Sequence, residues 1–184
     1  MFVHAYVDES YDLTIGVYIL TASIVDLTDA EDLRCALREL HAGRQKLHWY
    51  KSDAEHREHL AKGVSALNLS HVSIVGRSQG LRPERARRKC MEVLLPRLES
   101  IGVRFVVFES RQGRNNRHDT DLIDACRRKK LISHLQATFI GGNDEPLLWL
   151  ADIACGSALA AARGTDSYLT QFGDTVHLQK IDAT

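Results

Sequence analysis

The sequence predicts an α/β fold in which a mixed β-sheet is flanked by helices. Three observations predict it. Two β-prone runs near the front are separated by a turn. Two further strands, 70–77 and 103–109, are joined by a helix of crossover length. The rest of the 184-residue chain alternates polar loops with helices long enough to cover a sheet. That length fits one domain over 1–184, with a core of about 2–163 and a tail over 165–184, and it can bury a substantial core.

The elements follow in order. Residues 2–8 (FVHAYVD) alternate and are rich in aromatic and β-branched types, as a strand requires. Residues 13–25 (LTIGVYILTASIV) read as one long strand, or as two with a bend near Thr21-Ala22. Tyr11 or Asp12 opens the turn between these strands, which predicts an antiparallel hairpin. Thr28 or Asp29 caps a helix over 29–42, with Glu31 and Asp32 in its first turn and Leu33, Leu37 and Leu40 as its apolar stripe. Gly43 stops that helix. Residues 45–51 (QKLHWYK) are irregular or extended, and Ser52 or Asp53 caps a second helix over 53–67. After the strand at 70–77 comes a helix over 83–100, with Pro83 in its first turn and Pro96 bending or shortening its last. Strand 103–109 is followed by a polar loop over 111–118 and a helix over 119–137 capped by Asp119. Gly141-Gly142-Asn143 breaks the chain, and Asp144 caps a helix over 145–163. Thr175–Ile181 reads as a short edge strand. Strands 70–77 and 103–109 are expected to be parallel with a right-handed crossover.

Composition narrows the class. Formal net charge is zero, with 44% hydrophobic and 26% charged residues, ordinary values for a globular chain. No apolar run approaches the roughly 20 residues that cross a bilayer, and the first apolar stretch is broken by Asp8 and Glu9, unlike a signal peptide. A cytoplasmic location is expected. Cys35, Cys90, Cys126 and Cys155 form no CxxC pair, which argues for reduced, packed thiols. The charge is unevenly spread. The first 60 residues are acidic, and residues 77–130 carry a net charge of about +8 by count, an asymmetry that can mark a nucleic-acid face. Solvated helix surface is the plainer reading of the same arginines.

The acids are the most informative residues. "YVDES" runs an apolar strand into two adjacent carboxylates, which must point to opposite faces. One of them faces whatever the strand packs on, where an unpaired charge costs several kcal/mol. Strand 103–109 also ends in an acid, Glu109. Asp152 lies in Leu147-Leu148-Trp149-Leu150-Ala151-Asp152-Ile153-Ala154, a helix apolar nearly all round and therefore buried. Glu145 lies two turns earlier on nearly the same face. Ligands collect at the carboxyl ends of strands in such sheets. Carboxylates meeting there need a cation, and oxygen-only donors suit magnesium or manganese. A pair of such ions about 4 Å apart can activate water for phosphodiester cleavage. Plainer roles exist for each residue: a turn for Asp8, a solvated strand end for Glu109, a buried ion pair with Arg127 or Arg128 for Asp152. His48 is a proton carrier or a hydrogen-bonded structural residue. Asp119, Asp121 and Asp124 form a reserve acidic site, and Arg127-Arg128-Lys129-Lys130 can contact phosphates or simply face solvent.

"YVDES" with its hairpin, Lys46-Leu47-His48, and the late "LLWLADIACGSA" resemble the domain-of-unknown-function family numbered 3800, from Phe2 to about Ala162. That family opens on a strand ending Asp-Glu-Ser-Gly and closes on a helix carrying Ala-Asp; here Tyr11 stands where glycine is usual. Its layout is similar to the ribonuclease H-like superfamily, with RuvC-type resolvases and transposases. The resemblance implies a ribonuclease H-like three-layer fold. It maps the superfamily's acids onto Asp8, Glu109 and Asp152, with Glu9 as a neighbour of open role. The expectation is a metal-dependent hydrolase: a nuclease using magnesium or manganese on DNA or RNA. Asp8, Glu109 and Asp152, assisted by Glu9 and His48, are the expected catalytic residues, and Asp8, Glu109, Asp152 and Glu145 the expected metal ligands. The alternative is a non-catalytic module that binds nucleic acid or protein. Self-association into a homodimer is left open.

Overall fold

The computed structural model describes residues 3–41 and 46–184. Phe2, Gly43 as a helix stop, and Gln45 lie outside them. Six strands form one mixed sheet in the order β5-β4-β1-β2-β3-β6. They are β1 (Val3–Asp12), β2 (Val17–Asp26), β3 (His71–Arg77), β4 (Phe105–Glu109), β5 (Gln136–Ile140) and β6 (Val176–Asp182). The helices are α1 (Ala30–His41), α2 (Ala54–Ala66), α3 (Pro83–Ser100), α4 (Gly113–Arg128), α5 (Leu148–Ala162) and the short α6 (Ser167–Thr170). β2 is antiparallel to both β1 and β3, while β4, β5 and β6 add in parallel. All strands except β2 therefore run one way, and their carboxyl ends share one rim. β3 and β4 do run in the same direction, with β2 and β1 between them.

The α/β class and the mixed sheet are as the sequence predicts, and several boundaries differ. β1 does not stop at Asp8; it continues to Asp12 because the hairpin with β2 extends to the pair Asp12↔Val17. β2 is a single strand. The hairpin turn closes on Gly16, whose φ of +63° and whose approach to the Ser78 carbonyl leave no room for a side chain. Asp53 caps α2 by accepting the His56 N–H at 2.8 Å. Pro96 stays inside α3, which runs on to Ser100. The predicted loop at 111–118 and helix at 119–137 are replaced by an earlier helix and a missed strand. α4 starts at Gly113, ends near Lys130 in a left-handed conformation (φ 57°), and is followed by β5. Asp119 is thus a buried residue inside α4, not its cap. Asp144 caps nothing either, since the chain enters α5 through a turn at residues 145–147. The tail is part of the sheet, with β6 pairing along the whole of β3.

The two faces of the sheet carry separate cores. On one face α3 and α4 cover Ala5, Val7, Tyr18, Leu20, Ile74 and Phe108. On the other, α1, α2 and α5 cover Tyr6, Val25, Val107 and their neighbours, and α5 is buried from Leu148 to Leu159. Cys90, Cys126 and Cys155 are free and buried, and Cys35 is free and exposed. Among the described residues no helix is long and apolar enough to cross a membrane.

Beneath α5 lies a polar ladder between β2 and β3. Thr21 and Ser73 share a hydrogen bond of 2.8 Å, and Ser23 Oγ bonds His71 Nδ1 at 2.8 Å. His71 is fully buried, and its Nε2 has no hydrogen-bond partner. Burial, and secondarily the neighbouring His177, lowers its imidazole from 6.5 to about 4. The unfolded chain takes up this proton as the pH falls through 6.5, the folded chain only near 4. Stability from this group is therefore lost as the pH falls across that window, by about 3 kcal/mol in total. The His71→Val protein is expected to lose correspondingly less stability than the parent between pH 7 and 4.5, measured by urea unfolding. Equal losses in the two proteins would exclude His71 as the titrating group.

Candidate active site

Strand alternation decides where each acid goes. Ala5 and Val7 face α3 and α4, so Glu9 does too; Tyr6 faces α5, so Asp8 does too. β1 and β4 pair last at Val7↔Phe108, which places Asp8 and Glu109 side by side one residue further along. Glu109 shares the face of Val107, again toward α5. Asp152 reaches the same place from α5, which packs across β1 and β2. Three carboxylates from three elements thus meet at the carboxyl rim of the sheet.

A lysine joins them. Lys46 Nζ bonds Glu109 Oε1, and its backbone N–H donates to Asn143 Oδ1 at 2.8 Å. Gly142 permits this approach: a Cβ there would lie 2.5 Å from the Lys46 stem and 3.1 Å from the Glu109 carboxyl carbon. Asp152 Oδ2 accepts the Trp49 N–H at 3.0 Å, and Asp8 Oδ1 accepts the Glu9 N–H at 2.8 Å. Glu109 Oε2 is buried and has no hydrogen-bond partner.

The electrostatics follow from crowding. Burial, then the charges of Asp152, Glu109 and Glu9, hold the Asp8 carboxyl well above the usual carboxylate range, with Lys46 opposing. Burial also pushes Asp152 up to about 6, against the Trp49 N–H and Lys46. Burial pulls the Lys46 ammonium down, but Asp8, Glu109 and Asp152 outweigh it and hold it above its usual value. His48 stands at the edge of this group, with its ring 5.4 Å from that of Tyr50. Burial, with Lys46 and Lys51, lowers its imidazole, so it is neutral at pH 7. Among the described residues, no three His, Cys, Asp or Glu side chains stand close enough together to grip one metal ion.

Two expected site residues are engaged elsewhere. Glu145 is clamped by Arg34, with Nε–Oε1 at 2.9 Å and Nη2–Oε2 at 2.7 Å, and also accepts the Leu147 N–H. Glu9 lies across the sheet from Asp8 and pairs with Arg87. Arg87, itself fully buried, also forks onto Asp119, which in turn holds Arg111, and Arg111 reaches Glu84. This network answers the question of Glu9: it is the counter-ion of a buried arginine. It also accounts for Asp119, so the reserve acidic site dissolves. Arg127 pairs with Asp124 and the Leu135 carbonyl, leaving Asp152 without an arginine from that run.

The basic region also sits differently from a simple phosphate grip. Arg85, Arg88, Lys89 and Arg128 line a groove of about 840 Å³ between α3 and α4, on the face away from the three carboxylates. Exposed Arg114 and Arg117, in the first turns of α4, follow the rim where β4 ends. Lys46 is the residue that sequence reasoning missed, because its partner is 63 positions away and nothing local marks it. No protein-family model matches the chain, and no curated protein matches it significantly.

Proposed function

We propose that this chain is a divalent-metal-dependent nuclease that hydrolyses phosphodiester bonds of DNA or RNA at Asp8, Glu109 and Asp152. The observation that carries this reading is the meeting of buried Asp8 and Asp152 with part-buried Glu109, from β1, α5 and β4, at one rim, where among the described residues Lys46 is the ammonium that offsets them. A cluster so short of positive charge has the chemistry of a hard-cation site. The unpartnered Glu109 Oε2 is an acceptor still to be satisfied. Magnesium or manganese bound there would supply an activated water and stabilise the leaving oxygen. Asp8 and Asp152 would hold the cation from either side, Glu109 would turn to it from Lys46, and neutral His48 could carry a proton at the edge. The motifs resembling family 3800, and the acid positions resembling ribonuclease H-like enzymes, support the same assignment. Arg114 and Arg117 are exposed cations placed to meet a phosphate backbone near this rim, so binding should weaken with salt.

The rival reading, a binding module without turnover, is favoured by Lys46: its ammonium already sits on Glu109, and among the described residues no three side chains stand ready around an ion. A thermal-shift titration with magnesium and manganese, beside a cleavage screen on single- and double-stranded DNA, RNA, hybrid and branched substrates, separates the two. The expected result is metal-dependent stabilisation and cleavage, both lost in the Asp8→Asn protein with its fold intact. Full activity in Asp8→Asn would sink the assignment; absence of both stabilisation and cleavage would leave the binding module.

A further inference from the structure

A pocket of about 540 Å³ opens directly beside Asp152. Its floor is one face of α5: Asp152, Gly156 and Ala160 recur at helical spacing, and Arg163, just past the helix end, is paired with Asp12 Oδ2 at 2.6 Å. Its walls are aromatic. Trp49 packs so closely over Gly156 that any Cβ there would lie 2.2 Å from the indole, and Tyr168 meets Trp49 edge-on with ring centroids 5.3 Å apart. Tyr50, at the rim, is 69% exposed, an unusual placement for a large ring. Arg57 lies 5.5 Å from the Trp49 ring and donates to the Trp49 and Tyr50 carbonyls. Neither acceptor is charged, so its positive charge is left to the pocket.

A ligand suited to this place has a flat, polarisable body to lie against the exposed Tyr50 ring. It also carries negative charge for Arg57, and it continues toward Asp152. We infer that the pocket receives an unpaired nucleobase, with its own phosphate, next to the phosphodiester held at the carboxylates. The inference rests on the nuclease reading and deepens it: the substrate is a single strand, or a nucleotide unpaired at an end or junction. A base inside a duplex presents its edges to solvent and its faces to its neighbours, so it cannot lie flat on the Tyr50 ring.

The test reads binding apart from cleavage. Short fluorescein-labelled single strands, as DNA and as RNA, and a blunt duplex of the same sequence would be titrated in chelator, where a metal-dependent reaction is silent. At least one single strand is expected to bind about ten-fold or more tightly than the duplex. Tyr50→Ala, at an exposed position that leaves the core untouched, should erase that preference by weakening single-strand binding about ten-fold. Equal binding of strand and duplex, or an unchanged preference in Tyr50→Ala, overturns the pocket. The two proposals fail separately. Strand preference lost in Tyr50→Ala, with no metal-dependent cleavage, upholds the pocket and removes the nuclease. Cleavage lost in Asp8→Asn, without strand preference, does the reverse.

Discussion

In chelator at pH 7, the Asp152→Asn protein is expected to unfold at a higher temperature and urea concentration than the parent. An acid held at about 6 in the fold and near 3.8 in the unfolded chain stabilises the protein only while protonated. Its contribution is fully present below pH 3.8 and is lost as the pH rises through 6. At pH 7 the ionised carboxylate therefore costs about 3 kcal/mol relative to a neutral group. An asparagine oxygen can still accept the Trp49 N–H, so the substitution removes the charge and keeps the bond. With excess magnesium or manganese the order should reverse, because only the parent gains by binding the ion. A destabilised Asn protein in chelator would mean that Asp152 is a structural residue. The same group opposes His71 between pH 6 and 4, where one gains stability as the other loses it. Acid unfolding of the parent should thus begin more gently than that of Asp152→Asn.

Arg87→Met is expected to be the most damaging single change, destabilising the fold by about 3–5 kcal/mol in urea unfolding. Arg87 is 2% exposed, and its guanidinium lies against the Phe108 ring. Removing it takes their shared cation from part-buried Glu9 and buried Asp119, leaving Arg111 on Asp119 among the described residues. A buried charge without its partner is the main source of that loss, so the remedy is to remove the acids as well. Arg87→Met combined with Glu9→Leu and Asp119→Leu should recover most of it. A single variant within about 1 kcal/mol of the parent would show that water reaches this network.

How much of this was legible in the sequence depended on whether the signal was local. Asp152 stood out because the helix around it is apolar, and an acid there contradicts its surroundings. The period of two in β1 implied that Asp8 and Glu9 part company, but which faced which helix layer was fixed only by tertiary packing. Residues 111–118 read as a loop because they are polar. In the fold they form most of the first two turns of α4, whose buried side is built from Asp119, Leu122, Ile123 and Cys126. A salt-bridged aspartate served there as a core residue, which no hydrophobic pattern reveals. β5 was hidden for a related reason. α4 ends on Lys130 in a left-handed conformation where glycine is the usual marker, so the helix had no visible stop. Lys46 and Arg34 gained their meaning from Glu109 and Glu145, far away in sequence.

The division of Asp8 and Glu9 between the two faces of the sheet has a consequence for how this chain can change length. A slip of β1 by one residue would exchange the two carboxylates. It would set Glu9 among the acids at the rim and leave Arg87 facing a gap, while every apolar neighbour also turned the wrong way. Insertions and deletions in descendants of this gene should therefore be absent between Val3 and Glu9. They should collect instead in the connections, such as the turn between β1 and β2. In this strand phase, as much as composition, is what inheritance must preserve.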